Sequence, residues 1–270
     1  MYLSFTKQLE TLDISKALEC NEIYMQLQPK VSLNKEEYFI MGAEALIRWD
    51  HPVHGPISPE MILKAAVKQE KMQELTHYCF LWVLDHLKTV KNPNYSVAVN
   101  VDPAVFNNQL VDFLKDELKR NGVFGSSLQI EVTESTKIKN FSDLRKVMNV
   151  IQEMGIKIYL DDFGTAYASL QYLAKLNFDG VKIDKSFVQN APTEPHTRLI
   201  LSSIIQLARA LECDVIVEGV ETKEHLDLIK SLGVSCVQGY FFFKPLKEES
   251  LIRHLDAPSL KHALSYLVLA

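Results

Sequence analysis

Short apolar segments rich in β-branched residues alternate with segments of helical periodicity along nearly the whole chain, and this alternation limits the possible folds more than any other feature. Eight strands are predicted, at 23–33, 38–47, 96–101, 128–133, 156–161, 180–184, 214–218 and 236–242. Repeated strand-helix units favour a parallel sheet, and eight strands are enough to close it into a barrel. The chain has 270 residues, close to the roughly 250 that are usual for a TIM (β/α)8 barrel.

The first two strands depart from this pattern. Only residues 34–37 lie between them. A parallel crossover needs about a dozen residues or more, so these neighbours are expected to run antiparallel. The predicted fold is therefore α/β, a modified TIM (β/α)8 barrel with an antiparallel first strand. We expect the barrel over residues 21–256, after an N-terminal leading helix in 1–20 and before a C-terminal tail in 257–270.

Several helix ends can be read from capping residues. Ser58 is a predicted N-cap with Pro59 at the first helical position, and Asn140 and Thr222 are expected to begin two further helices. Asn121-Gly122 has the composition of a hairpin turn, but it follows a helical pattern and is interpreted as a helix end.

The predicted helix 196–211 carries two adjacent apolar stripes. One consists of Ile200, Ile204, Leu207 and Leu211, and the other of Leu201, Ile205 and Ala208. A barrel helix needs one stripe, and we assign the first to the core. The second stripe then belongs either to a wide core face or to a contact in a homodimer.

Composition excludes some classes of protein. The formal net charge is −5, whereas a protein that binds polymeric nucleic acid usually has a basic excess. The four cysteines show no zinc-ligand spacing, which favours reduced, packed thiols. The chain shows neither a signal sequence nor an apolar run of the roughly 18 residues needed to cross a membrane, so we expect a cytoplasmic protein without direct membrane insertion.

Polar residues, mostly acids, lie near the carboxyl ends of the predicted strands, where barrel enzymes carry their chemistry. They are Glu44, Asn100, Glu131, Asp161, Asp162, Lys182, Asp184, Glu218 and Gln238. Each of them alone could be a solvated strand end or a satisfied core polar group. Together they predict one site, because several acids follow strongly apolar strands, where a bare charge is costly.

Charge balance then indicates metal ions. Five carboxylates and Lys182 leave a strong negative excess, and two divalent cations would bring the mouth close to neutral. Oxygen ligands without Cys or His favour Mg²⁺ or Mn²⁺, so two-metal phosphodiester hydrolysis is the natural hypothesis. Lys182 either balances the acids or orients the attacking water. Strand alternation places Glu131 in the site and Glu134 in a supporting loop, and Gly164 permits a strand break that would let Asp161 and Asp162 both bind metal.

Several of these residues stand in ordered motifs. The motifs are Gln28-Pro29, Glu44-Ala45-Leu46-Ile47-Arg48-Trp49, Glu131-Val132-Thr133-Glu134, Asp161-Asp162-Phe163-Gly164, Lys182-Ile183-Asp184, Glu218-Gly219-Val220-Glu221 and Gln238-Gly239-Tyr240. With them the chain resembles the EAL domain family of cyclic di-GMP phosphodiesterases over roughly residues 20–250.

The resemblance implies hydrolysis of one phosphodiester bond of cyclic di-GMP to linear pGpG, with two Mg²⁺ or Mn²⁺ ions and with Ca²⁺ as an inhibitor. It also implies pairing into a homodimer. The implied metal ligands are Glu44, Asn100, Glu131, Asp161, Asp162 and Glu218. The residues expected in catalysis are Lys182, Glu44, Glu134 and Glu221, and those expected at the substrate are Gln28, Arg48, Asp184 and Gln238.

Two alternatives stay open. A degenerate EAL domain can be a non-catalytic cyclic di-GMP receptor, although such receptors usually lack some of the acids that this chain keeps. An enolase-type barrel would take its metal ligands from three successive strands, whereas the candidates here span at least five. The departures from the family pattern, Val101, Asp102, Ala166, Ala168 and Val217, remove no implied ligand.

Overall fold

The computed structural model of the chain describes residues 11–34, 37–133, 140–164 and 169–255. Its strands are β1 (Ile23–Asn34), β2 (Glu37–His51), β3 (Gly55–Ile57), β4 (Ser96–Val101), β5 (Leu128–Val132), β6 (Lys157–Phe163), β7 (Gly180–Ile183), β8 (Asp214–Val217) and β9 (Cys236–Val237). Its α-helices are α1 (Ile14–Glu19), α2 (Pro59–Lys68), α3 (Met72–Thr89), α4 (Asn108–Asn121), α5 (Phe141–Glu153), α6 (Ser169–Lys175), α7 (Ser186–Gln189), α8 (Pro195–Ala210), α9 (Lys223–Ser231) and α10 (Glu248–Leu255).

Eight of these strands close a barrel. The strand order is β1-β9-β8-β7-β6-β5-β4-β2, and β1 also pairs with β2. The strands from β4 to β9 pair in parallel, and β2 is parallel to β4. β1 runs antiparallel to both of its neighbours. The predicted barrel and its antiparallel first strand are confirmed.

Two predicted strand limits are wrong. The second strand does not stop at residue 47 but continues to His51, because it forms a hairpin with β3, a strand that was not predicted. Trp49 on this extension is buried against α1 and α2 in a second, smaller core. The last strand was predicted to reach residue 242 but ends at Val237, because the chain then turns, with the Phe242 amide donating to the Gly239 carbonyl.

Helix ends follow the capping residues. The side chains of Ser58, Asn140 and Thr222 accept hydrogen bonds from amides in the first turns of α2, α5 and α9. Gly122 ends α4 in the left-handed conformation, with φ of 64°. The part of the predicted leading helix that the structure describes contains α1, while residues 1–10 and the tail 257–270 lie outside the described residues.

The assignment of the two stripes on α8 is wrong. The residues that pack into the core are those of the second stripe, Leu201, Ile205 and Ala208. Three residues of the first stripe are exposed instead, namely Ile200, Leu207 and Leu211. The reason is that both stripes are apolar, and the angle at which the helix lies on the barrel decides between them.

Among the described residues, no helix combines the length and the apolar character that a membrane crossing requires.

Candidate active site

Lys182 lies at the centre of an acidic cluster inside the mouth of the barrel. Its Nζ atom lies 3.1 Å from Glu44, 2.6 Å from Glu131, 3.0 Å from Asp161 and 2.7 Å from Glu218. These four carboxylates come from β2, β5, β6 and the residue after β8. Burial alone would lower the pKa of Lys182, but the four carboxylates raise it well above its usual range, so the ammonium stays charged. The structure therefore brings the predicted acids together.

Glu44 is the most firmly held of these acids. One carboxylate oxygen accepts a hydrogen bond of 2.6 Å from Asn100, and the other accepts one of 2.7 Å from Gln238. Burial raises its pKa, but Lys182, Gln238 and Asn100 outweigh burial and bring the pKa to about 2. Glu44 is thus an ionised carboxylate with a fixed orientation.

Asp161 and Asp162 both face the mouth of the barrel, because the pairing of β6 with β7 is irregular at these two residues. The register of β6 with β7 shifts between Leu160 and Phe163, and Asp162 has a left-handed backbone with φ of 52°. This turn breaks the strict alternation of side chains, so one carboxylate oxygen from each of Asp161, Asp162 and Glu218 lies within 4.8 Å of the others. The strand also ends directly before Gly164, whose φ of 97° is the break that was predicted, and the left-handed Asp162 is an additional turn that was not predicted.

The remaining acids are crowded. Burial is the largest cause that raises the pKa of Glu218, to about 8, with Glu44 and Asp161 adding to it. Burial likewise raises the pKa of Glu131, Asp161 and Asp162, and neighbouring carboxylates raise it further. The single positive charge of Lys182 is thus not enough to keep all five acids ionised, and further cations are needed.

The donor set fits a divalent metal ion. Glu44, Glu131 and Asp161 form a second group with one oxygen each within 4.8 Å, so Asp161 belongs to both groups. Asn100 Oδ1 is buried and accepts a hydrogen bond from no described residue, so this oxygen is available as a ligand. Carboxylate and amide oxygens are the donors that Mg²⁺, Mn²⁺ and Ca²⁺ prefer.

Lys30 is a second cation in this site that the sequence analysis missed. It lies on β1 with a side chain 2% exposed, and its Nζ atom is 2.7 Å from Glu131. The available signal was a lysine between the apolar residues Pro29 and Val31 in a predicted barrel strand. A charged residue at such a position is buried only when it has a partner.

Two cavities flank the acid cluster. One, of about 260 Å³, is mostly apolar; it is lined by Met25, Leu46, Ile47, Arg48, Leu63, Met72, Leu75 and Cys79, and it reaches Asn100 and Asp161. The other, of about 310 Å³, is polar; it is lined by Gln28, Asp162, Asp184, Lys185, Glu218, Glu221, Gln238 and Tyr240. The predicted substrate-binding residues therefore divide between two cavities that meet at the acids.

The remaining predicted residues have definite places. Arg48 donates hydrogen bonds to Gln26 and to the Ile47 carbonyl. Asp184 accepts a hydrogen bond from the Ser186 amide, just after β7. Glu221 is exposed, and its amide donates to Nδ1 of His225. Glu134 lies outside the described residues, as do Ala166 and Ala168.

Comparison with known proteins decides the family. A family model described as "EAL domain" matches residues 11–245. The chain belongs to the EAL domain family. It is 32% identical over 255 residues to the bifunctional diguanylate cyclase/cyclic di-GMP phosphodiesterase MucR of Pseudomonas aeruginosa, covering 91% of this chain and 36% of that protein. This EAL domain thus spans about a third of the length of that relative.

Solved structures agree with the barrel. The PaMucR phosphodiesterase, in a complex with cyclic di-GMP, superposes with a TM-score of 0.82 at 31% identity, over 90% of this EAL domain and 99% of that chain. The EAL enzyme Bd1971, bound to cAMP and cyclic di-GMP, superposes with a TM-score of 0.85 at 27% identity, over 93% of this chain and 69% of that chain.

Proposed function

We propose that this chain is a metal-dependent phosphodiesterase that hydrolyses one phosphodiester bond of cyclic di-GMP and releases linear pGpG. The observation that carries the proposal is the arrangement of four carboxylates around Lys182, with Asp162 completing a second carboxylate group beside them. The relatives named as cyclic di-GMP phosphodiesterases indicate the substrate.

Two divalent ions, Mg²⁺ or Mn²⁺, would supply activation of a water molecule and neutralisation of the phosphate oxygens. The two overlapping carboxylate groups would hold them, with Asp161 common to both and with the Oδ1 atom of Asn100 as an additional donor. Glu44 would be the best preorganised ligand, because Asn100 and Gln238 already fix its orientation. Ca²⁺ would fill the same oxygen sites and inhibit turnover.

Lys182 would orient the attacking water in line with the leaving oxygen. Its ammonium lies among four of the acids that would hold the ions, so it is close to where a metal-activated water would be needed. Arg48 would contact a phosphate from the edge of the apolar cavity. Gln28, Asp184, Glu221 and Gln238 would contact or support the substrate from the polar cavity.

The cavities suit the parts of a cyclic dinucleotide. A purine base has flat apolar faces, and the cavity beside Leu46, Leu63 and Met72 offers an apolar lining. The sugar-phosphate ring is polar and would lie over the acids and the polar cavity. A ligand with its phosphate between the two cavities would therefore place the scissile bond at the acid cluster.

The test is to incubate the protein with cyclic di-GMP and Mn²⁺ and to separate the nucleotides by chromatography. We expect pGpG as the product, no cleavage in EDTA, and none when Ca²⁺ replaces Mn²⁺. The test variant is Glu44→Gln, which removes one charge from the cluster. Its matched control is Glu153→Gln, which removes one charge from an exposed position on α5. If the chain binds cyclic di-GMP but cleaves it under none of these conditions, the proposed phosphodiesterase is wrong and the chain is a receptor.

We also propose that the domain pairs with a second copy through α8. Leu199, Ile200 and Leu207 on this helix and Leu211 directly after it are exposed, with between 36% and 65% of each residue accessible. A contiguous apolar face of this kind on a helix indicates a protein interface. Light scattering at micromolar concentration is expected to give a dimer mass, and Ile200→Lys is expected to give a monomer. A monomer mass for the unmodified chain would contradict the pairing.

A further inference from the structure

A buried lysine lies beneath the acid cluster and belongs to none of the roles assigned above. Lys30 enters the barrel from β1, and its side chain is 2% exposed. Its ammonium donates to Glu131 Oε1 at 2.7 Å and to Gln129 Oε1 at 2.8 Å, and it lies 5.7 Å from the ring centre of Tyr159. An ammonium this deep is retained only where its partners satisfy it.

Glu131 is held from two opposite directions. Its side chain is fully buried, Oε1 bonds to Lys30, and Oε2 bonds to Lys182 at 2.6 Å. Because Lys182 also contacts the other acids, Oε2 is the oxygen that faces the cluster, while Oε1 faces the barrel interior. Two fixed cations therefore determine the plane of this carboxylate.

The partner that holds Lys30 from below is itself fixed. Gln129 accepts from Lys30 and donates to the Ser96 hydroxyl at 2.9 Å, and all three side chains are buried. Gln129 precedes Glu131 by two residues on β5, so both lie on the inner face of the barrel, one layer apart. Lys30 thus connects a rigid polar layer to the carboxylate above it.

We propose that Lys30 is a positioning residue for the metal site. It holds Glu131 Oε1, so that Oε2 is presented to a divalent ion in a fixed direction. This inference rests on the proposed function. The charge count is compatible with positioning and with simple counter-charge alike: five carboxylates and two lysines give −3, and two divalent ions bring the site to +1. A single phosphodiester group, at −1, would then make the site neutral.

The direction in which removal of Lys30 changes the affinity for the metal ion distinguishes a positioning role from a simple counter-charge. If Lys30 only repelled cations, its removal would strengthen metal binding. If it positions Glu131, its removal weakens metal binding despite the lost repulsion. We expect Lys30→Met to raise the Kd for Mn²⁺ by about tenfold or more, as is typical when the hydrogen-bond partner of a metal ligand is removed.

The experiment measures free Mn²⁺ by electron paramagnetic resonance in titrations of the unmodified chain, Lys30→Met, Lys30→Gln and Lys30→Arg. Lys68→Met is the matched control, because Lys68 is exposed on α2. Lys30→Gln can still donate a hydrogen bond to Gln129, and the same titration is made on this variant if Lys30→Met does not fold. Lys30→Arg keeps the charge and the ability to donate to Glu131, and it is expected to bind Mn²⁺ more tightly than Lys30→Met does.

Turnover provides the second readout. At saturating Mn²⁺, Lys30→Met is expected to reach most of the kcat of the unmodified chain, with an unchanged KM for cyclic di-GMP, because only metal binding is impaired. Unchanged or tighter Mn²⁺ binding in the neutral variants, while the unmodified chain binds Mn²⁺ and cleaves the nucleotide, would overturn this inference alone. Absence of Mn²⁺ binding by the unmodified chain would overturn the proposed function as well.

Discussion

Replacing Glu218 by Gln is expected to stabilise the metal-free protein, although it removes a residue of the proposed metal site. Burial, together with Glu44 and Asp161, raises the pKa of Glu218 from 4.5 to about 8. Between these two values the folded chain binds a proton that the unfolded chain does not. Stability attributable to this group is therefore highest below pH 4.5 and is lost as the pH rises toward 8.

The magnitude at pH 7 follows from the interval between the unfolded pKa of 4.5 and pH 7. Each pH unit is worth about 1.4 kcal/mol, so the cost at pH 7 is about 3–4 kcal/mol. The side chain is 21% exposed, and solvent screens part of this cost, so we expect a gain of about 2 kcal/mol for Glu218→Gln at pH 7. The amide has no charge to lose, so the gain is expected to be close to zero at pH 4.5.

The assay is urea unfolding in EDTA between pH 5 and 8, with Glu153→Gln as the exposed control. The free energy of unfolding of Glu218→Gln should exceed that of the unmodified chain by an amount that widens with pH. Saturating Mn²⁺ should reverse the order, because the unmodified chain gains binding free energy that the variant lacks. A variant less stable than the unmodified chain in EDTA at pH 7.5, or a gap that narrows with pH, would refute the electrostatic reasoning.

The remaining predictions concern the ligands, the lysine and the loops. Glu44→Ala should abolish cleavage and weaken Mn²⁺ binding in calorimetry; full activity would contradict its role as a ligand. Lys182→Ala should lower kcat by about 10²-fold or more, but should change the affinity for cyclic di-GMP in Ca²⁺ much less; equal losses would assign Lys182 to binding. The affinity for Mn²⁺ should rise between pH 6 and 8, because burial holds a proton on Glu218 below its pKa of about 8 and the metal must displace it; a flat profile would exclude Glu218 as a ligand. Gly239→Ala should cost about 1–3 kcal/mol of stability, since the new Cβ would overlap the backbone of Val220; unchanged urea unfolding would show that these loops can separate.

Much of the fold could be predicted because local signals and long-range constraints agree. The short connection before residue 38 requires an antiparallel pair whatever else the chain does, and Ser58 and Thr222 cap their helices through local geometry alone. The stripes on α8 could not be separated in this way. Leu201 and Ile200 are equally apolar neighbours, and the choice between them depends on how the whole helix lies on the sheet.

The site shows the same division. Glu131 and Glu218 could be placed at the mouth because both follow apolar strands, and barrel geometry brings such ends together. Lys30 could not be assigned, because its strand runs in the opposite direction and its reach depends on a register that the sequence does not specify. The left-handed Asp162 is a second example, since aspartate adopts this conformation less readily than glycine, and only the left-handed Gly164 could be expected from the sequence.

The reversed direction of β1 limits how this site can be transplanted into another scaffold. On the seven forward strands, a later residue lies nearer the mouth, whereas on β1 the earlier Gln28 lines the mouth cavity and the later Lys30 lies deeper. On a regular eightfold barrel, a lysine two positions after the glutamine would rise above the acids instead of supporting them from below. A designer would therefore have to carry over the hairpin of β1 and β2 as a unit, together with the side chains.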